Sequence, residues 1–153
     1  MVKKIKLDAD YGTEDISVLG ISSPMPDYKL VWHINTMHPY NFVKKNDFPF
    51  KPIKHDKAIC FSYYAFEDGM NYLNYCLISN KNEAAFLIPE YKKLDYICFI
   101  SGTNPEKFVH IFKEGVKKIK NVALAMELDK KKIKGFRLLI NDLELFKLNK
   151  YKG

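Results

Sequence analysis

The sequence predicts an α+β fold: a mainly antiparallel sheet, built as a meander over residues 58–101, with two main helices at about 28–37 and 105–119. Three observations carry this. Apolar, aromatic-rich runs between 58 and 101 show the period of strands. The turns between them are too short for parallel crossovers, which need about a dozen residues or more. Two further stretches carry apolar residues at helical spacing.

A chain of 153 residues forms one domain by default, here 1–153, with 141–153 as a tail that docks or frays. A domain of this size buries about 70% of its unfolded surface, and 47% hydrophobic residues supply that core. No apolar run approaches the roughly 20 residues of a membrane span. Met1-Val2-Lys3-Lys4 leads into alternating charge rather than the apolar segment of a signal peptide. A soluble, cytoplasmic protein is expected. Cys60, Cys76 and Cys98 each lie inside an apolar run and form no CxxC pair. They read as small buried hydrophobes in a reducing compartment.

In chain order, residues 2–9 alternate as a half-buried strand, and 10–15 form a turn around Gly12. Residues 16–23 are ambiguous, and helix or turn before Pro24 is the reading preferred over strand. Asp27 is placed to cap a helix in which Leu30, Val31, Ile34 and Met37 share a face, ended by His38-Pro39. A short strand is expected at 41–45 and a surface loop at 46–57. Strands follow at 58–66 and 70–79, joined through Glu67-Asp68-Gly69. Asn80-Lys81-Asn82 turns the chain into a short strand at 84–88, which Pro89 stops. Residues 89–93 form one helical turn, with Glu90 at the positive end of its dipole, and 95–101 is the next strand.

Asn104 caps and Pro105 opens the clearest helix, with Phe108, Ile111, Phe112, Val116 and Ile119 as its apolar stripe. The all-apolar run 122–126 reads as a central strand. Asp129 starts a lysine-rich turn ending at Gly135, and 136–140 reads as a last strand.

The central strands are apolar on both faces. Leu73, Tyr75 and Leu77 oppose Tyr72, Cys76 and Ile78; Ile97 and Phe99 oppose Tyr96, Cys98 and Ile100. An antiparallel sheet with one wet face would alternate cleanly, so each face needs cover. If both helices lie on one face, the other meets the tail, a ligand or a second copy of the chain.

Sites of chemistry are sparse. His33, His38, His55 and His110 form no HxH or HxxxH pair, and the cysteines are scattered, so neither metal nor other cofactor is expected. There is no Gly-rich phosphate loop, GxSxG or HExxH. Ser22-Ser23, just before a helix, read as caps rather than nucleophiles. Glu90 and Asp95 are the one carboxylate pair in the central stretch that acid–base work could use. The favoured reading is that each accepts backbone N–H bonds and fixes the corner. The net charge of +7 invites nucleic acid, through Lys113, Lys117, Lys118, Lys120, Lys130, Lys131, Lys132 and Lys134. Against that, Arg137 is the sole arginine among 25 basic residues, and arginine is the residue that forks onto phosphate and guanine.

Ile88-Pro89-Glu90, three residues, then Leu94-Asp95-Tyr96 resembles the signature of the IPExxxVDY family, a group of small bacterial proteins. Leu94 stands where the signature has valine. Leu19-Gly20-Ile21-Ser22-Ser23, Asp27-Tyr28-Lys29-Leu30, Phe61-Ser62-Tyr63-Tyr64 and residues 75–81 look similar too, so the resemblance spans roughly 4–140. It implies no activity, cofactor or partner, and marks Ile88, Pro89, Glu90, Leu94, Asp95 and Tyr96 as a motif of structural type. The expectation is therefore a non-enzymatic interaction or structural module, self-associating as a homodimer. A nucleic-acid binder through 113–134, and a small-ligand binder or enzyme at the Glu90/Asp95 corner, are the alternatives.

Overall fold

A computed structural model describes residues 15–52, 54–83 and 85–152; the expected strand at 2–9 and all but the last residue of the turn after it lie outside them. The main element is a six-stranded sheet with strand order β10-β1-β9-β6-β5-β2. Its strands are β1 (Ile16–Ser22), β2 (Val43–Lys44), β5 (Tyr63–Asp68), β6 (Leu73–Ser79), β9 (Tyr96–Gly102) and β10 (Leu124–Glu127). Every neighbouring pair is antiparallel. β3 (Phe48–Phe50) pairs with β4 (Ile59–Phe61), and β7 (Lys81–Asn82) with β8 (Ala85–Phe86), as two small separate sheets. The helices are α1 (Asp27–Asn35), α2 (Pro105–Lys117) and α3 (Phe136–Lys152). With a mainly antiparallel sheet and separate helices, the fold is α+β, and β5, β6 and β9 lie side by side; the expected strand at 84–88 does not stand between β6 and β9 but is present as Ala85–Phe86, paired with β7 outside the main sheet.

The period of the strands explains the layers. Ile16 and Val18, Cys76 and Ile78, and Ile97 and Phe99 point to one side. Leu19 and Ile21, Tyr75 and Leu77, and Cys98 and Ile100 point to the other. The second side is covered by Leu30, Val31 and Ile34 of α1 and by Val109, Phe112 and Val116 of α2. Its centre is an aromatic cluster in which Tyr40, Phe42, Tyr75 and Phe112 meet at ring distances of 4.9–5.9 Å in several pairs. Both expected helices therefore share one face. The opposite face is covered by Phe136, Leu139, Ile140 and Leu143 of α3, with Phe48, Phe50, Ile88 and Leu94 beside them.

Several expectations are corrected. Residues 16–22 form a strand between β9 and β10, not a helix. Residues 136–140 are helix, not strand, and continue through the tail: Phe136, Leu139, Ile140 and Leu143 recur at helical spacing and are buried together. β10 lies at the sheet edge rather than its centre, with Leu124 and Met126 exposed. The expected loop at 46–57 contains β3, whose Phe48 and Phe50 are buried while Pro49 faces out. The expected strand 58–66 breaks at Ser62 into β4 and β5, which belong to different sheets. In α2 the buried stripe is Pro105, Val109, Phe112 and Val116, leaving Ile111 exposed. Asn104 stands at its N-cap position with φ 54° and no side-chain capping bond, and Asp27 is the first residue of α1 rather than its cap. Cys60 is exposed, whereas Cys76 and Cys98 are buried.

Candidate functional site

Residues 80–96 turn the chain from β6 into β9, and one side chain organises that corner. Asn80 is fully buried. Its Oδ1 accepts from the Ile88 N–H at 2.8 Å, and its Nδ2 donates to the carbonyls of Tyr91 and Leu94, each at 2.9 Å. Its backbone accepts from the Leu87 N–H at 2.8 Å and donates to the Asp95 carbonyl at 2.9 Å. A buried amide bonded at both ends fixes residues 87–95, which follow the short β7–β8 pair and belong to no strand. Between these anchors Pro89–Tyr91 forms a 3-10 turn, with Pro89 at the position where a missing N–H costs nothing.

The motif residues divide by role. Ile88 and Leu94 are buried in the α3-side core. Leu94 lies over Gly20 of β1: a Cβ placed on Gly20 would overlap Leu94 Cδ1 and stand 3.2 Å from Leu128 Cδ2. Asp95 ties the corner to the β1–α1 connection. Its Oδ2 accepts from the Ser23 N–H at 2.8 Å and from Ser22 Oγ at 3.4 Å, while Oδ1 pairs with Lys81 Nζ at 2.9 Å. The neighbouring Tyr96 donates its hydroxyl hydrogen to the Met25 carbonyl. Burial, with the Asp27 and Asp95 carboxylates nearby, holds that phenol well above its ordinary range, so it serves as a donor and not as a base. Ser23 Oγ donates to the Asn121 carbonyl at 2.7 Å and accepts from the Met25 N–H at 3.2 Å, closing the same connection. Thus 19–23 and 88–96, the two stretches that look most distinctive in sequence, are in contact.

Glu90 behaves differently from the expected turn-holding carboxylate. It is exposed, and among the described residues its carboxylate has no hydrogen-bond or ion-pair partner. The structure does not bring it together with Asp95 in one site. It lines a cleft of about 250 Å³ with Phe50, Pro52, Lys54, Leu87, Pro89, Ile133, Lys134, Gly135, Leu138 and Leu139, a set that does not include Asp95. The walls are therefore the β3 end, the corner and the first turn of α3. Lys54 and Lys134 share the rim with Glu90 and likewise have no partner among the described residues. Lys54 sits at φ 77°, a region that a residue with a Cβ rarely adopts. Leu138 is 51% exposed at the mouth.

The lysine run is split by the topology. Lys113 pairs with Glu127 at 3.2 Å and Lys117 with Glu114 at 3.7 Å, on the α2 side of the sheet. Lys134 lines the cleft on the α3 side. Lys130 Nζ donates to the Ile16 carbonyl at 2.7 Å. Among the described residues no group of three or more His, Cys, Asp or Glu could hold a metal ion. Sequence reasoning missed Asn80, Lys54 and Leu138. The signal for Asn80 was its position directly after an apolar strand and before the motif. For Leu138 it was an outward apolar residue within a helical repeat, a signal that Leu145 and Leu148 share. No protein-family model, curated protein or solved structure matches the chain.

Proposed function

We propose that the protein is a non-enzymatic module that binds a small ligand in the cleft between the corner, the β3 end and α3. One observation carries the reading: an apolar cavity large enough for a small ligand opens beside the motif, and its three charged rim residues are unpaired among the described residues. Acid–base chemistry by a Glu90/Asp95 pair is disfavoured, because both Asp95 oxygens already hold partners away from that cleft. A second copy is not needed to cover the sheet, since α1, α2 and α3 cover both faces within one chain. The split lysine run likewise offers no single surface for nucleic acid. Membership of the IPExxxVDY family is part of the proposal and rests on residues 88–96. A cytoplasmic location is proposed too: Cys60, Cys76 and Cys98 are free thiols, and no helix among the described residues is long and apolar enough to cross a membrane.

Titration of 15N-labelled protein with 1-octanol tests the site. Saturable shifts are expected at the Leu87, Gly135 and Leu138 amides, and Leu138→Glu is expected to abolish them. Shifts spread evenly over the surface, or none at millimolar octanol, would show that the cleft is not a binding site.

A further inference from the structure

We infer that the ligand is an amphiphilic anion, a straight-chain carboxylate of about eight carbons; this rests on the cleft being the binding site. The size follows from the volume. A cavity of about 250 Å³ holds about eight non-hydrogen atoms, taking about 30 Å³ for each water-sized unit. The tail follows from the lining. Phe50, Pro52, Leu87, Ile133 and Leu139 form the inner wall, and all five are buried apart from their surface on the cleft. Such a surface rewards methylene groups and offers no polar partner to a sugar or nucleotide.

The headgroup follows from the rim. Lys54 and Lys134 bring two cationic side chains to the cleft lining against the single anionic one of Glu90, and none of the three is paired with a described residue. The mouth is therefore positive, as is the whole chain at +7. The cavity carries the site, and the start of α3 adds to the sign: the helix has no acidic residue in its first turn, and its positive end forms part of the wall. A carboxylate at the mouth keeps its solvent contact and meets two cations, while its chain fills the apolar interior.

Titration calorimetry with hexanoate, octanoate, 1-octanol and octylammonium, backed by the same amide spectra, separates the claims. Octanoate is expected to bind tightest of the four. Each added methylene tightens binding by about fourfold until the cleft is full. Lys134→Gln is expected to weaken octanoate by about two- to fivefold and leave 1-octanol unchanged. Glu90→Gln is expected to tighten octanoate.

Octylammonium binding as tightly as octanoate would overturn the anionic headgroup and leave the cleft reading standing. Shifts at the cleft amides with none of the four would overturn both. Leu138→Glu, at a residue half exposed, should keep the melting curve of the parent and lose octanoate. A folded L138E protein that binds octanoate normally would place the ligand elsewhere and also overturn both.

Discussion

Replacing Asn80 with alanine is expected to cost about 3–5 kcal/mol of stability. The variant isolates the side chain, because both backbone bonds of residue 80 stay in place. Three bonds are lost: from the Ile88 N–H, and to the carbonyls of Tyr91 and Leu94. The bonds to Ile88 and Leu94 are buried. Leaving a buried group without a partner costs about 1–3 kcal/mol each. The bond to Tyr91 is part-buried, so water can replace it, and its loss costs about 1 kcal/mol or less. A water entering the vacated space would restore one more bond and bring the total toward about 3 kcal/mol. Against a typical stability of about 5–15 kcal/mol this is a large fraction. Urea unfolding followed by circular dichroism would show a lower midpoint at unchanged slope. Exposed Lys92→Ala serves as control and should move stability by about 0.5 kcal/mol or less. Hydrogen exchange at the Ile88 amide should accelerate beyond the global change. A loss below about 1 kcal/mol, or an Ile88 amide as protected as in the parent, would show that this amide does not hold the corner.

Gly20→Ala should destabilise by about 1–3 kcal/mol through overlap with Leu94, and Leu94→Ala in the same chain should relieve part of that; simple additivity of the two would refute the contact. Burial, then the Asp27 carboxylate, pushes Tyr64 from 10.0 up to about 12. The folded state thus holds this proton more tightly than the unfolded chain does, so its contribution is whole below pH 10 and is lost as pH rises through about 12. The urea midpoint should fall between pH 9.5 and 11.5, on the order of 2 kcal/mol for this phenol, and an unchanged midpoint would refute the burial. A thiol reagent should modify Cys60 rapidly in the native protein and reach Cys76 and Cys98 only on unfolding, since burial also raises the Cys98 thiol; three equal rates would contradict the core. Trp32, the single tryptophan and 63% exposed, should emit in the native state much as it does in urea; a blue-shifted native spectrum would mean that another molecule covers α1.

What could be read from sequence depended on whether the deciding interaction was local. β6 and β9 were legible because their period is short and their turns are marked by polar residues. β1 was not, because Ile16, Val18, Leu19 and Ile21 are apolar toward both faces, and such a run has the same signature as a buried helix. β10 shows the converse: four apolar-rich residues look central, yet of them only Ala125 is buried. α3 was cut at Ile140 because residues 136–140, four of them apolar, fit a strand as well as a helix; the repeat through Leu143 decides it. Asn80 looked like an ordinary turn residue, since the partners of its side chain lie eight to fourteen positions away. Asp95 was recognised as a carboxylate that satisfies backbone donors, but its donor, Ser23, lies 72 residues earlier and no local pattern names it. Glu90 could not be separated from Asp95 in sequence because both flank one turn.

The two-faced sheet links corner and cleft. A sheet apolar on both sides requires two covers, and the chain supplies them unequally. α1 and α2 together close one face around the Tyr40–Tyr75–Phe112 aromatic cluster. Among the described residues the other has one helix, and the gap between its first turn and the neighbouring elements is closed only in part, by β3 and the corner. The cleft is that remaining gap, and Leu138 stays half exposed beside it. Leu87 of its inner wall and the exposed Pro89 beside it depend for their positions on Asn80 through the Leu87 and Ile88 amides. The motif therefore contributes two separate things. Leu94, Asp95 and Tyr96 bind the corner to β1 and to the connection after it, while Ile88 anchors the step that turns Pro89 and Glu90 toward open space. The residues that look most like a catalytic pair serve opposite sides of one turn, and the side left without partners among the described residues is the side that faces the cavity.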